Sequence, residues 1–187
     1  MAFSGEGTTA SLLAFVQGFR SESNKLVWQQ IIDCLNLVTA VFSEDKALAA
    51  GLSAFVLKLV SPAVEKIGWE PSEGEDYLTS QLRGMLLSTA GLYGHKGVIA
   101  EAQRRFELYT SSKEQSAAGP SVRGSIFQIC IKYGGSSEYT AVKKEWETAK
   151  SPNNKVVALS AMGGFEDPVS LIFPACFCGK CAKNTNN

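Results

Sequence analysis

Histidine is nearly absent from this chain, which holds one, His95, in 187 residues. That count excludes an H-E-x-x-H zinc helix, in which two imidazoles one turn apart share a metal. Charge of one sign is also missing. Lys and Arg total 18 and Asp and Glu total 18, so no net field draws nucleic acid or an anionic membrane. Apolar runs are short. Gln, Glu, Lys or Ser interrupts each one before about eighteen residues, so no bilayer-spanning segment is expected. No Asn-x-Ser/Thr acceptor occurs, and Met1-Ala2-Phe3-Ser4-Gly5-Glu6-Gly7 puts no basic leader ahead of an apolar stretch, so a secretory signal is not expected. Five cysteines are an odd number, and Cys34 and Cys130 lie inside apolar helical patterns. They fit small core residues in a reducing compartment, which makes the cytoplasm the expected location. Alternating runs bounded by Asn-Gly or Asp-Gly, the signature of hairpins, are absent as well.

What remains is helical. A hydrophobic fraction of 45% against 19% charged describes a folded globular chain, long enough for one domain with a real core. Thr8 to Ser11 offer capping hydroxyls before Leu12, Phe15, Val16 and Phe19, which recur at helical spacing. Ser23 or Asn24 can cap a second segment carrying Leu26, Ile31, Leu35, Val38 and Phe42. Trp28, Ile32 and Leu37 widen that stripe and predict a helix buried on two sides. A third segment starts near Ser43-Glu44-Asp45 and carries Leu48, Leu52, Phe55 and Leu59. Pro62 should kink or restart it, and Gly68 is a plausible C-cap.

The acidic connector Glu70 to Asp76 could face a peptide amine, but the plainer reading is a solvated loop whose last carboxylates favour the positive end of a helix starting near Tyr77. That helix stops at Gly94, and His95-Lys96-Gly97 links it to one carrying Val98, Ala102, Phe106 and Tyr109. Ser88, Ala90, Gly91, Ala100 and Ala102 predict close approach of these two helices. Pro120 can occupy the first turn of the next helix, through Tyr133. A shorter helix holds Tyr139, Val142 and Trp146, and another runs from Val156 to about Met162. The expected fold is all-α, with about eight helices in antiparallel pairs: 77–93 with 98–112, 120–133 with 137–149, and a third pair opening near 155. Helix lengths and short links suggest an α-solenoid array, although no exact repeat is visible.

Candidate chemistry is thin. Cys176-Phe-Cys178-Gly-Lys-Cys181 has thiolate spacing suited to zinc or copper, but nothing nearby supplies a fourth ligand, and an accidental tail is the plainer reading. His95 could be a general base, yet a lone loop histidine is more often a cap or surface residue. Gly91-x-x-Gly94-x-x-Gly97 follows no strand, so its glycines end one helix and admit the next rather than cradle phosphate. Arg83, Arg104, Arg105 and Arg123 have the fork that meets a carboxylate, without a pattern that selects among them. No residue is assigned as catalytic, cofactor-binding or metal-ligating.

Five stretches read as text rather than as periodicity. They are Ser4-Gly-Glu-Gly-Thr-Thr-Ala-Ser-Leu-Leu-Ala-Phe-Val, Leu57-Lys-Leu-Val-Ser-Pro-Ala-Val-Glu-Lys-Ile-Gly-Trp, Gly91-Leu-Tyr-Gly-His-Lys-Gly-Val-Ile-Ala-Glu-Ala-Gln-Arg-Arg-Phe, Arg123-Gly-Ser-Ile-Phe-Gln-Ile and Glu138-Tyr-Thr-Ala-Val-Lys-Lys-Glu-Trp. In this order they resemble the C-terminal helical domain of gluzincin zinc aminopeptidases. That is the endoplasmic-reticulum-aminopeptidase-like domain, here most like the fungal cytosolic puromycin-sensitive and aminopeptidase N type.

The resemblance implies a curved, HEAT- or armadillo-like array of helix pairs that walls or closes a chamber admitting peptide. Zinc and the G-x-M-E-N loop that holds the substrate amine would lie in the rest of the enzyme, and neither that loop nor H-E-x-x-H occurs in this chain. The implied partners are a peptide substrate or the catalytic domain. The likeness runs to about Pro168, so the expected organisation is a helical domain over 1–168, incomplete at both ends, and a divergent, disordered Cys-containing tail over 169–187. A truncated gene or partial duplication would produce such a chain. The alternative is a free-standing helical scaffold that binds a peptide or protein; a broad exposed apolar flank favours the domain reading, a polar groove the scaffold.

Overall fold

The computed structural model describes residues 7–111 and 115–164, and among these every regular element is helical. Eight α-helices follow one another: α1 (Thr9–Val16), α2 (Lys25–Val41), α3 (Lys46–Ile67), α4 (Tyr77–Leu92), α5 (Lys96–Ser111), α6 (Arg123–Gly134), α7 (Ser136–Thr148) and α8 (Pro152–Met162). Short 3₁₀ turns lie at Gln17–Phe19 and Gln115–Ala118.

Helix starts follow local chemistry. Thr8 accepts from the Ser11 amide, Asn24 from Leu26, Asp45 from Ala47 and Leu48, and Asp76 from Leu78 and Thr79. Each carboxylate, amide or hydroxyl oxygen satisfies amides that have no partner inside their own helix. Gly68 caps α3, as its position predicts. Between α6 and α7 one residue makes the turn: Gly135 sits at φ 92°, a left-handed conformation that a Cβ would strain.

The helices pack in two rows. α2, α4, α6 and α8 each rest on the next, while α3, α5 and α7 form a second row that packs on the even-numbered helices to either side. The core lies between the rows and holds Trp28, Leu35, Leu59, Leu86, Leu87, Ile126, Phe127 and Ile129, all nearly inaccessible. Burying a large apolar side chain contributes about 1.5–3 kcal/mol before chain entropy is set against it.

Several boundaries and packings differ from the sequence reading. Pro62 does not restart α3, which runs unbroken to Ile67. The carbonyl robbed of a partner is that of Lys58, and both residues are exposed, so water can satisfy it. α6 begins at Arg123, with Pro120 in the turn before it, and α8 begins at Pro152 rather than Val156, with proline in its first turn.

The small residues of α4 serve α6, not α5. A Cβ at Gly91 would lie 2.3 Å from Ile129 Cδ1, one at Gly84 would lie 2.4 Å from the Ser121 carbonyl oxygen, and Ser88 donates to Gln128. Nor is α2 buried on two sides. Leu26 and Leu37, with Val41, are exposed on its outer face although Trp28 and Ile32 are in the core. Phe15, Leu48, Val156 and Leu159 are also exposed. The membrane expectation needs amending too. α3, at 22 residues, is long and apolar enough to cross a bilayer by length and composition alone, because averaging tolerates the few polar residues that interrupt it. Leu52, Val56, Leu59, Val60 and Val64 bury one of its faces, which packs on α4, and most of the helix outside that face is exposed or half-buried.

Candidate functional site

The four arginines open to a carboxylate ligand are engaged within the chain. Arg83, 1% exposed, donates through Nη1 to the carbonyls of Ile67 and Gly68 (2.8 Å to the latter) and through Nη2 to Glu75. Glu75 is 7% exposed at its side chain, so this is a buried ion pair that clamps the 68–76 connector onto α4. Glu75 Oε1 and Arg83 Nε have no partner among the described residues. Arg105 donates to Glu101 at 2.7 Å and to Glu70, and its guanidinium lies 5.0 Å from the centre of the Trp69 ring. Arg104 grips both oxygens of Glu101 at 2.8 and 2.7 Å. Arg123 donates to the Ala118 carbonyl at 3.1 Å and stands over Tyr109. The acidic connector is a largely exposed loop, as expected, but it is tied down at points: Glu70 and Glu75 reach back to arginine, and Asp76 caps α4.

Glu101 gathers two guanidinium groups, and the hydrogen bond from Arg104, then Arg105, holds its carboxyl down at about 2 against partial desolvation. A carboxyl depressed in the folded state stabilises it above the ordinary value of 4.5 and loses that contribution as pH falls through about 2. Replacing Glu101 with Gln should therefore lower the melting temperature near neutrality and leave it almost unchanged near pH 2, measured by circular dichroism across that range. Equal losses at both ends would show that the ion pairs contribute nothing.

His95 is a helix cap. Its Nδ1 accepts from the Val98 amide at 3.2 Å at the start of α5, so in the neutral ring the proton sits on Nε2. Gly91, Gly94 and Gly97 surround the same link and follow a helix, which leaves no phosphate cradle. Cys130 is buried in α6 and Cys34 is half-buried, accepting a weak bond from Gln30 at 3.7 Å. Cys176, Cys178 and Cys181 lie outside the described residues.

One concave feature was not foreseen. α5 and α7 scarcely touch, and the gap between them, floored by α6, is a cleft of about 390 Å³. Glu107 and Thr110 of α5 face Glu138 and Ala141 of α7, with Phe106 and Cys130 beneath. Burial, then the charge of Glu138, pushes the Cys130 thiol up to about 12. Nearby, the Tyr109 hydroxyl donates to Glu145 at 2.7 Å and ties α5 to α7; burial and that bond raise it to about 12.

With no reactive constellation among the described residues, likeness to known proteins carries the assignment. The ERAP1-like C-terminal domain family matches residues 1–171. This chain belongs to that family. Among curated relatives, aminopeptidase 2 of Candida albicans is 29% identical over 169 residues, covering 90% of this chain and 18% of the relative. Alanine/arginine aminopeptidase of Saccharomyces cerevisiae is 28% identical over 169 residues, covering 89% and 20%. A second Saccharomyces cerevisiae relative, "Aminopeptidase 2, mitochondrial", is 25% identical over 169 residues, covering 90% and 18%. This ERAP1-like domain spans about one fifth of the length of the relatives it matches. The colinear segments quoted above all fall inside the matched range.

The donor set among the described residues of the ERAP1-like domain does not fit zinc. A catalytic zinc takes three protein ligands, commonly including a histidine pair; the one histidine here caps a helix, and no three His, Cys, Asp or Glu side chains converge among the described residues.

Proposed function

We propose that this chain acts as a non-catalytic helical domain of a zinc metallo-aminopeptidase, an enzyme that removes N-terminal residues from peptides. Its helix pairs would form a HEAT-like wall or lid of the chamber that receives peptide. Zinc and the base would be held elsewhere in the complete enzyme, in the cytoplasm. The observation that carries this reading is the match to the ERAP1-like C-terminal domain over residues 1–171, in a chain whose sole histidine is spent on a helix cap. The exposed apolar residues support it. Phe15, Leu26, Leu37, Val41 and Leu48 belong to α1, α2 and α3, and Val156 and Leu159 to α8, so apolar surface is left at both ends of the described array, with Tyr77, Leu78 and Tyr133 exposed between them on α4 and α6. A domain that packs against neighbouring helices needs such ends, whereas a free-standing scaffold would cap them with polar residues.

The test is a chimera in which residues 1–168 of this chain replace the matched segment of Candida albicans aminopeptidase 2. A wall should leave turnover of a short aminoacyl amide within about tenfold of the parent and change the profile of preferred peptide lengths. A folded chimera that loses the short substrate altogether would place chemistry in this domain and overturn the reading.

A further inference from the structure

The two rows of helices are held together by different physics. In the first row α4 and α6 approach so closely that Gly91 and Gly84 leave no room for a Cβ against Ile129 and the Ser121 carbonyl. Leu86, Leu87, Ile126 and Ile129 fill the core there, and α2 on α4 and α6 on α8 continue the row. Parting any of these helices would open apolar core, which is costly. The second row has no such seam. α3 rides on α4, α5 on α6 and α7 on α8, while α3 and α5 scarcely touch, and neither do α5 and α7.

Polar ties cross both gaps of that second row. Trp69 and Glu70, just past the end of α3, reach α5: the Glu70 carboxylate accepts from Arg105 Nη2, and the Trp69 ring centre lies 5.0 Å from the guanidinium. Across the next gap, the Tyr109 hydroxyl of α5 donates to Glu145 of α7 at 2.7 Å. The first tie is the looser. The Glu70 side chain is 73% exposed, so water and salt compete for it, and Arg105 keeps Glu101 at 2.7 Å when Glu70 leaves. Neither tie is needed to keep α4 on α6.

We propose that the array works as a fan, with α2, α4, α6 and α8 as its spine. The pairs α3–α4, α5–α6 and α7–α8 pivot on that spine as the Glu70–Arg105 and Tyr109–Glu145 ties form and open. Spreading widens the α5–α7 cleft and changes the curvature of the array without melting a helix. The device stands whether or not the domain walls a chamber.

The experiment attaches spin labels to p-acetylphenylalanine in the full chain and measures distance distributions by pulsed electron paramagnetic resonance. Label pairs at Lys58 and Ala100, and at Ala100 and Lys144, span the two gaps, and a pair at Gln30 and Ser160 spans the first row; each position is exposed. Glu70→Gln, or raised salt, should lengthen or broaden the first distribution by about 2 Å or more. Tyr109→Phe should do the same to the second. The pair across the first row should stay fixed throughout, with helix content unchanged by circular dichroism. A gap that keeps its distribution when its own tie is removed would overturn the proposal. A matching change across the first row would also overturn it, since the whole domain would then be loosening.

Discussion

Arg83→Met should lower the free energy of unfolding by about 3–5 kcal/mol, the loss expected when one member of a buried ion pair is removed. Glu75 would keep its charge with 7% of its side chain exposed, and the carbonyls of Ile67 and Gly68 would lose their donor at the end of α3. The pair is thus an expensive thing to break, not a strong source of stability. The double substitution Glu75→Leu with Arg83→Met should recover part of the loss, because apolar replacement of a whole buried pair is often neutral. Urea denaturation followed by far-ultraviolet circular dichroism measures both. A loss from Arg83→Met below about 1 kcal/mol would mean the pair behaves like an exposed one.

The second large effect is expected at Phe127. Its ring is 1% exposed and sits between Phe106, perpendicular at 5.9 Å, and Tyr109, tilted at 5.8 Å. Phe127→Ala removes the ring from the junction of α5 and α6 and leaves a void that helices of this size close only partly. About 3–5 kcal/mol should be lost, with an additional contribution from the two aromatic contacts inside that range. Phe127→Leu should lose much less, since it keeps most of the volume. Equal losses for the two would show that ring geometry, not volume, holds the junction.

Both effects sit where the sequence was hardest to read. Local signals came through: Asp76, Asp45 and Asn24 stand directly before helices, and the bonds they make reach two or three residues along the chain. The Glu75–Arg83 pair depends instead on the connector folding back over α4, and nothing in an acidic run distinguishes that from a loop in water. Small residues announce a close approach without naming the partner, which is why Gly84 and Gly91 point to α6 when the neighbour in sequence is α5. Leu37 fell in a helical stripe by spacing but faces outward, because periodicity marks apolar faces and does not count the helices available to cover them.

The cleft illustrates the same limit. Phe106, Glu107 and Thr110 share a face of α5 at three- and four-residue spacing, an ordinary amphipathic pattern. That the face stays open follows from α5 and α7 both packing on α6 and scarcely on each other. The family assignment needed none of this. It rests on long colinear segments, whose information is the identity of residues in order, not their polarity.

This chain is expected to fold without carrying out peptidase chemistry. The most direct measurement is hydrolysis of an aminoacyl chromogenic substrate by the purified chain with added zinc, with and without a chelator, on material shown to be helical by circular dichroism. A helical protein with no turnover above buffer in either condition is the expected result. Turnover that co-purifies with the chain and disappears with the chelator would contradict it.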